Sequence, residues 1–185
     1  MSTKQTEKLN VEIEMPKDVN VNLKSQMLQV QGPLGKTHKS FKKIPVIIEI
    51  IGNKINLKPT GTRKKHLAIL NTSKSLIQTL CEGVVDGYTI KMKIVYSHFP
   101  ISIKIQDDKV LIENFQGERA NRIAKIWGNT KVVSKGDDVI ITGMVLTDVT
   151  QTAAEIELKT KVKNKDHRVF LDGIYKYTKS KGIEK

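Results

Sequence analysis

Lys161, Lys163, Lys165 and Arg168 lie in sequence beside Phe170, Tyr175 and Tyr177, in and just outside a basic, amphipathic stretch that runs from Val162 to Tyr175. The chemistry available to such a stretch is polyanion recognition. Ammonium and guanidinium groups seek phosphates, aromatic rings offer flat faces to bases or sugars, and the apolar residues anchor the segment to its parent domain. A nucleic-acid partner is therefore the first expectation, and no small-molecule substrate is expected.

Charge distribution supports that expectation. The 185 residues carry a formal net charge of +13, from 32 Lys and Arg against 19 Asp and Glu. Residues 36–65 hold nine bases and one acid, and residues 159–185 hold nine bases and three acids. Two basic patches thus account for the excess, and a surplus of this kind attracts RNA, DNA or an anionic surface. The first patch contributes Lys42, Lys43, Arg63, Lys64 and Lys65, expected at strand ends and in a loop, and Lys36 as a surface cation. Composition and clustering alone leave nonspecific DNA binding open, and a free RNA- or DNA-binding module remains the alternative.

Other site chemistries fit poorly. Gly32-Pro33-Leu34-Gly35-Lys36-Thr37 resembles the end of a phosphate loop. The nucleotide-binding version needs a glycine where Val30 stands, and Pro33 removes an amide donor. His38, His66, His98 and His167 have no metal-ligand spacing with the single Cys81, so no metal is expected. Ser97 and His98, adjacent on an expected strand, would point to opposite faces, and His98 is expected to be packed or hydrogen-bonded. Asp107-Asp108 and Asp137-Asp138 read as turn residues. No cofactor fingerprint is present and no enzyme activity is expected. One cysteine allows no internal disulfide, and the chain shows no secretory or membrane-spanning segment, so a soluble, reducing, cytoplasmic setting is expected.

The elements that must position the basic stretch are written twice. Val19, Val21, Leu23, Leu28, Val30, Gly32 and Gly35 recur 82 positions later as Ile101, Ile103, Ile105, Val110, Ile112, Asn114 and Gly117. Period-two alternation predicts strands with one buried face. Gly52-Asn53 and Gly136-Asp137 each predict a turn into a further strand. Leu67, Leu70, Leu76, Ile77 and Leu80 predict a helix with Gly83 as its stop, and Thr150–Leu158 predicts a shorter one. The expected fold is α+β, with two tandem homologous domains, residues 1–83 and 84–185, each an antiparallel or mixed sheet packed with one helix.

Three segments in order carry a family resemblance: Val30-Gln31-Gly32-Pro33-Leu34-Gly35, then Val95 to Ile101, then Val162 to Asp166 with Phe170 to Tyr175. They resemble the two-domain large-subunit ribosomal protein family numbered six in the universal scheme and nine in the older eukaryotic scheme, cytosolic eukaryotic type. The resemblance implies a structural ribonucleoprotein component that binds large-subunit rRNA near the sarcin–ricin loop and the translation-factor site. Neighbouring large-subunit ribosomal proteins and translation factors would lie nearby, in a cytosolic ribosome reached through the nucleolus in a eukaryote. By position it implies RNA contacts at Lys161, Lys163, Asn164, Lys165, Arg168, Gly173, Tyr175 and Lys176. The loop holding Gly117 and Arg119 is a second implied contact. Gly173, lacking a Cβ, would let the backbone pass close to a phosphate. The chain departs from the family at Pro59-Thr60-Gly61, at Ile126-Trp127-Gly128-Asn129, and at His167 and Val169.

Overall fold

A computed structural model describes residues 10–166 and 168–183. Backbone contacts divide the chain into two compact units, Met1–Val85 and Asp86–Lys185. The first unit contains β1 (Val11–Glu14), β2 (Asn20–Lys24), β3 (Met27–Gly32), β4 (Gly35–Ser40), β5 (Val46–Ile51), β6 (Lys54–Pro59) and helix α1 (Lys64–Val85). The second contains β7 (Tyr88–Val95), β8 (Ser102–Gln106), β9 (Lys109–Glu113), β10 (Arg122–Lys125), β11 (Lys131–Lys135), β12 (Asp138–Gly143), helix α2 (Leu146–Lys159) and β13 (Gly173–Lys181).

Each unit is built from two antiparallel sheets and a helix, in matching order. The first has sheets β2-β3-β4 and β1-β6-β5, and the second has β8-β9-β10 and β11-β12-β7-β13. Strand β13 is the addition that breaks the repeat. It pairs with β7 on the side away from β12, and the corresponding edge of β1 carries no strand among the described residues. The expected α+β architecture with two tandem units is the one observed.

The alternating residues explain the cores. Leu28 and Val30 face inward from β3, Ile55 and Leu57 from β6, and both pack with Leu70, Ile77 and Val84 of α1. In the second unit Val110 and Ile112 of β9, Ile90 and Met92 of β7, and Val139 and Ile141 of β12 meet Val149 and Ile156 of α2. Buried Ser73 lies on the core side of α1 and donates to the Ile69 carbonyl at 2.9 Å, so its hydroxyl carries no unmet polar demand.

Both helices exceed their expected lengths. α1 runs through Gly83 to Val85, because Gly83 is buried within the helix instead of ending it. The helix therefore continues past residue 83, where the first domain was expected to end. α2 begins at Leu146, four residues before the expected start, because Leu146 to Val149 continue its apolar face inward to buried Val149.

The apparent phosphate loop is a hairpin turn. Gly32 and Gly35 pair across β3 and β4, and the Leu34 amide donates to the Val84 carbonyl at 3.0 Å. A Cβ on Gly32 would sit 2.8 Å from that carbonyl oxygen. The glycine thus serves close packing of the turn on the end of α1, not a phosphate cradle. Among the described residues, no helix is long and apolar enough to cross a membrane.

Candidate nucleic-acid interface

Helix α2 ends at Lys159, and β13 begins at Gly173. The intervening residues carry most of the basic stretch, pinned at both ends and open in the middle. At the near end Thr160 is buried, and its hydroxyl donates to the Ile156 carbonyl at 3.1 Å. The same oxygen accepts the Ile174 amide at 3.1 Å, so one hydroxyl joins the helix end to the start of β13. Val162 is buried in the core. At the far end Asp172 Oδ1 accepts the Ser97 amide at 2.7 Å, tying the segment to the loop after β7.

Between those pins Lys163, Asn164, Lys165 and Arg168 are exposed. The backbone there is shaped by Asp166, whose carboxylate accepts the Arg168 amide at 2.9 Å and whose carbonyl accepts the amides of Val169 and Phe170. Such an aspartate-centred turn is a local hydrogen-bonded bend, and Arg168, Val169 and Phe170 on it are exposed. Asn164 adopts a left-handed backbone with φ of 59°, a conformation that asparagine tolerates better than most residues. Lys165 Nζ lies 4.7 Å from the centre of the Phe170 ring, within cation–π range. The Arg168 guanidinium stands 3.7 Å from Asp166 with its side chain 94% exposed, leaving it available for a phosphate.

Two further loops join this surface. Asn114 donates to the Pro100 carbonyl at 3.0 Å, which fixes the short helical turn Phe115–Gly117 beside the loop after β7. Together with the basic segment they line a cavity of about 160 Å³, with Phe99, Gln116, Lys165 and Phe170 among its walls. Gly117 and Arg119 are exposed on the adjoining turn.

Arg122 of β10 holds these pieces together, and no sequence motif singled it out. Its Nε donates to Glu118 Oε2 at 2.8 Å, and Nη2 donates to the other carboxylate oxygen. Its Nη1 donates to the Lys159 carbonyl at 2.7 Å and the Lys161 carbonyl at 3.4 Å. The guanidinium also stacks on the Phe115 ring at 4.0 Å. One planar fork thus joins the turn, the end of α2 and the root of the basic segment. The Arg122 hydrogen bond holds the Glu118 carboxyl below the usual carboxylate range, against the opposing effect of partial burial, and the charges of Arg122 and Lys165 add to the lowering. The Glu-x-x-x-Arg spacing was the available sequence signal.

Three expectations need correction. Ser97 and His98 lie beyond the end of β7, in an exposed loop, so strand alternation does not govern them and His98 is exposed and not packed. Lys64 and Lys65 occupy the first turn of α1 instead of a loop, with Arg63 just before it. Cations at that end oppose the helix dipole, and no acid in the first turn compensates them. At Gly173 the tip of the Tyr175 side chain occupies the space expected for a phosphate. The glycine is buried, and a Cβ there would stand 2.8 Å from the Tyr175 ring, which already covers it.

The remaining site residues fall into place as follows. Tyr175 is 43% exposed, and its hydroxyl donates to the Leu171 carbonyl at 3.1 Å. Lys161 and Lys176 are exposed in the same unit. Lys36 lies on β4, and Lys42 and Lys43 lie in the turn after it, all in the first unit. The expectation on His167 falls outside the described residues. Cys81 is buried, and desolvation pushes its thiol up to about 11.

Comparison with known proteins points the same way as the geometry. The sequence model of a family described as ribosomal protein L6 matches residues 99–173, a range that contains most of this surface. The large ribosomal subunit protein uL6 of Methanobrevibacter smithii is 44% identical over 168 residues, covering 91% of this chain and 94% of its own. The uL6 proteins of Staphylothermus marinus and Saccharolobus solfataricus are 42% and 40% identical, covering 90% and 92% of this chain and 92% and 95% of theirs. On similarity sustained over so much of both sequences, the chain belongs to the uL6 family of large ribosomal subunit proteins.

Proposed function

We propose that the second unit docks on large-subunit rRNA through the segment between α2 and β13, the Phe115–Arg119 turn and the first residues of β13. As a uL6 family member, the chain is a structural constituent of the large ribosomal subunit, with rRNA and ribosomal proteins as partners, and is not an enzyme. The observation that carries the choice of surface is the pinned segment itself. Thr160, Val162 and Asp172 fix its ends, while Lys163, Lys165 and Arg168 remain exposed around exposed aromatic rings.

Affinity in this reading comes from Lys and Arg displacing the counterions condensed on RNA. Selectivity comes from fit of a preformed surface, with Asn164 and the exposed rings meeting 2′-hydroxyls and unpaired bases. Fixing the segment before binding limits the conformational entropy lost on docking. The same reading places the docked unit near the sarcin–ricin region, within reach of translation factors. It also has the chain act in the cytoplasm, after nucleolar assembly in a nucleated cell.

Gradient sedimentation of tagged protein from lysate, with a high-salt wash, tests the reading. Retention with large subunits, monosomes and polysomes is expected. Recovery only at the top of the gradient would overturn it in favour of a free nucleic-acid-binding module. For the isolated protein, engagement of six to ten phosphates corresponds to roughly a 10³–10⁵-fold loss of affinity between about 50 and 200 mM salt.

A further inference from the structure

We propose that the solvent face of the β2-β3-β4 sheet, in the first unit, is a second RNA-binding surface that holds an unpaired segment by its base edges. The ligand class rests on the rRNA reading above, but the unit, the residues and the chemistry are different.

Strand register arranges the face in rows. Asn20, Gln31 and Lys36 lie abreast on the three strands, as do Asn22, Gln29 and His38 in the next row. All six are exposed, while Leu28 and Val30 between them point into the core. They line a cavity of about 470 Å³ formed across the twisted sheet. A third row carries Lys24, Met27 and Ser40. Lys24 and Lys36 therefore occupy opposite corners, about 13 Å apart along the strands and about 10 Å across them.

The chemistry of the face is one-sided. None of the three strands contains an acidic residue. Among the described residues, the four carboxamides, Lys36 and His38 make no side-chain hydrogen bond or ion pair within the chain. Each carboxamide offers two donors and an acceptor, the pairing that suits adenine and other base edges. Those edges are free only in unpaired RNA. The histidine ring can stack, and the corner lysines suit phosphates on either side of a short strand.

The equivalent sheet of the second unit shows that the fold does not impose this. On its outward face Glu113 pairs with Lys104 at 3.0 Å, and Ser102 and Asn121 both donate to it at 3.3 Å. Leu111 and Ile123 lie abreast on that face, with Ile123 49% exposed. That sheet pairs its one carboxylate internally and offers apolar surface at Leu111 and Ile123, with Lys109 and Lys125 in its last row. The first-unit sheet leaves its polar groups open to a ligand and has only partly buried Met27 as an apolar anchor. Protein partners select aromatic and apolar anchors, so RNA is the better fit.

Binding of the full chain to a fluorescein-labelled, adenine-rich single-stranded RNA of about twelve nucleotides, carrying 4-thiouridine for crosslinking, tests this. The double variant Gln29→Glu/Gln31→Glu keeps side-chain size and places charge against the strand. Gln78→Glu/Gln151→Glu makes the same net change at exposed positions elsewhere. At least about tenfold weaker binding is expected for the first and little change for the second, with crosslinks in the peptide spanning residues 20–38. Equal weakening of both variants, no weakening, or crosslinks confined to residues 161–176 would overturn the proposal. Absence from large subunits in the gradient would instead overturn the rRNA reading and leave these binding arms untouched.

Discussion

The Arg122 guanidinium grips the Glu118 carboxylate through both oxygens while its remaining nitrogen donates to the Lys159 carbonyl at 2.7 Å. It therefore couples the turn after β9 to the helix end from which the basic segment departs. Replacing it with lysine keeps one charge but removes the planar fork. Arg122→Lys should lower stability by about 1–2 kcal/mol, and Arg122→Ala somewhat more, as measured by urea unfolding. Both should weaken RNA binding, Arg122→Lys doing so with no loss of charge. Arg119→Ala, at the exposed neighbouring position, should leave stability unchanged.

The close approach of Gly173 and Tyr175 makes a second prediction. Gly173→Ala places a methyl group 2.8 Å from the outer edge of the ring, so the ring must tilt and strain its bond to the Leu171 carbonyl, at a cost of about 0.5–1.5 kcal/mol. Because the clash is with a side chain, Tyr175→Ser should relieve much of it. A double-mutant cycle in thermal or urea unfolding would show the coupling. Additive effects would mean that the backbone at 173, and not the ring, sets the requirement.

Position 173 also shows where sequence reading stops. A glycine after a basic stretch suggested a close phosphate approach, yet it is one residue's ring lying over another residue's backbone that requires it. The duplicated strands were legible because period-two alternation is a direct trace of burial, and Leu28 with Val30 and Val110 with Ile112 kept it clearly. Exposure of Lys163, Lys165 and Arg168 followed from their chemistry alone. The role of Arg122 did not, because its partners at Lys159 and Lys161 are carbonyls far along the chain, and any residue type supplies a carbonyl. The ends of the helices were misjudged for a related reason: Gly83 ends a helix only where its backbone is free to turn, and here it is buried.

Glu118 gives a pH dependence with a definite sign. Its carboxyl is held below the usual range by the Arg122 hydrogen bond first, so the folded state favours the ionised form. The resulting stabilisation is fully present above the unfolded carboxyl's pKa and is lost as pH falls through the folded one. Wild-type protein should lose more stability than Glu118→Gln on acidification below about pH 4. Urea midpoints measured from pH 6 downward would detect the convergence.

At the other end of the scale, burial pushes the Cys81 thiol up to about 11. The folded state keeps the proton while the unfolded state loses it at an ordinary thiol pKa. Stability from this group is therefore complete below that range and declines as pH rises toward about 11. Cys81→Ala should remove this alkaline decline while costing core packing at neutral pH. Native protein should also react with iodoacetamide far more slowly than unfolded protein at pH 8, since the thiolate is the nucleophile. Equal rates would mean that α1 opens locally without global unfolding.

The exposed cations make the prediction closest to function. Lys163, Lys165 and Arg168 are exposed, and the pins at Thr160, Val162 and Asp172 do not depend on them. Replacing all three with alanine should therefore leave the unfolding midpoint within about 0.5 kcal/mol of wild type. Affinity for an rRNA fragment should fall, and the slope of log affinity against log salt should become shallower by up to about 3, roughly one for each phosphate no longer engaged. Stability and slope together separate the two roles a lysine-rich surface can have. A solvating surface changes neither, whereas a docking surface changes the slope alone. An unchanged slope with normal incorporation into large subunits would move the principal RNA-binding site away from this segment.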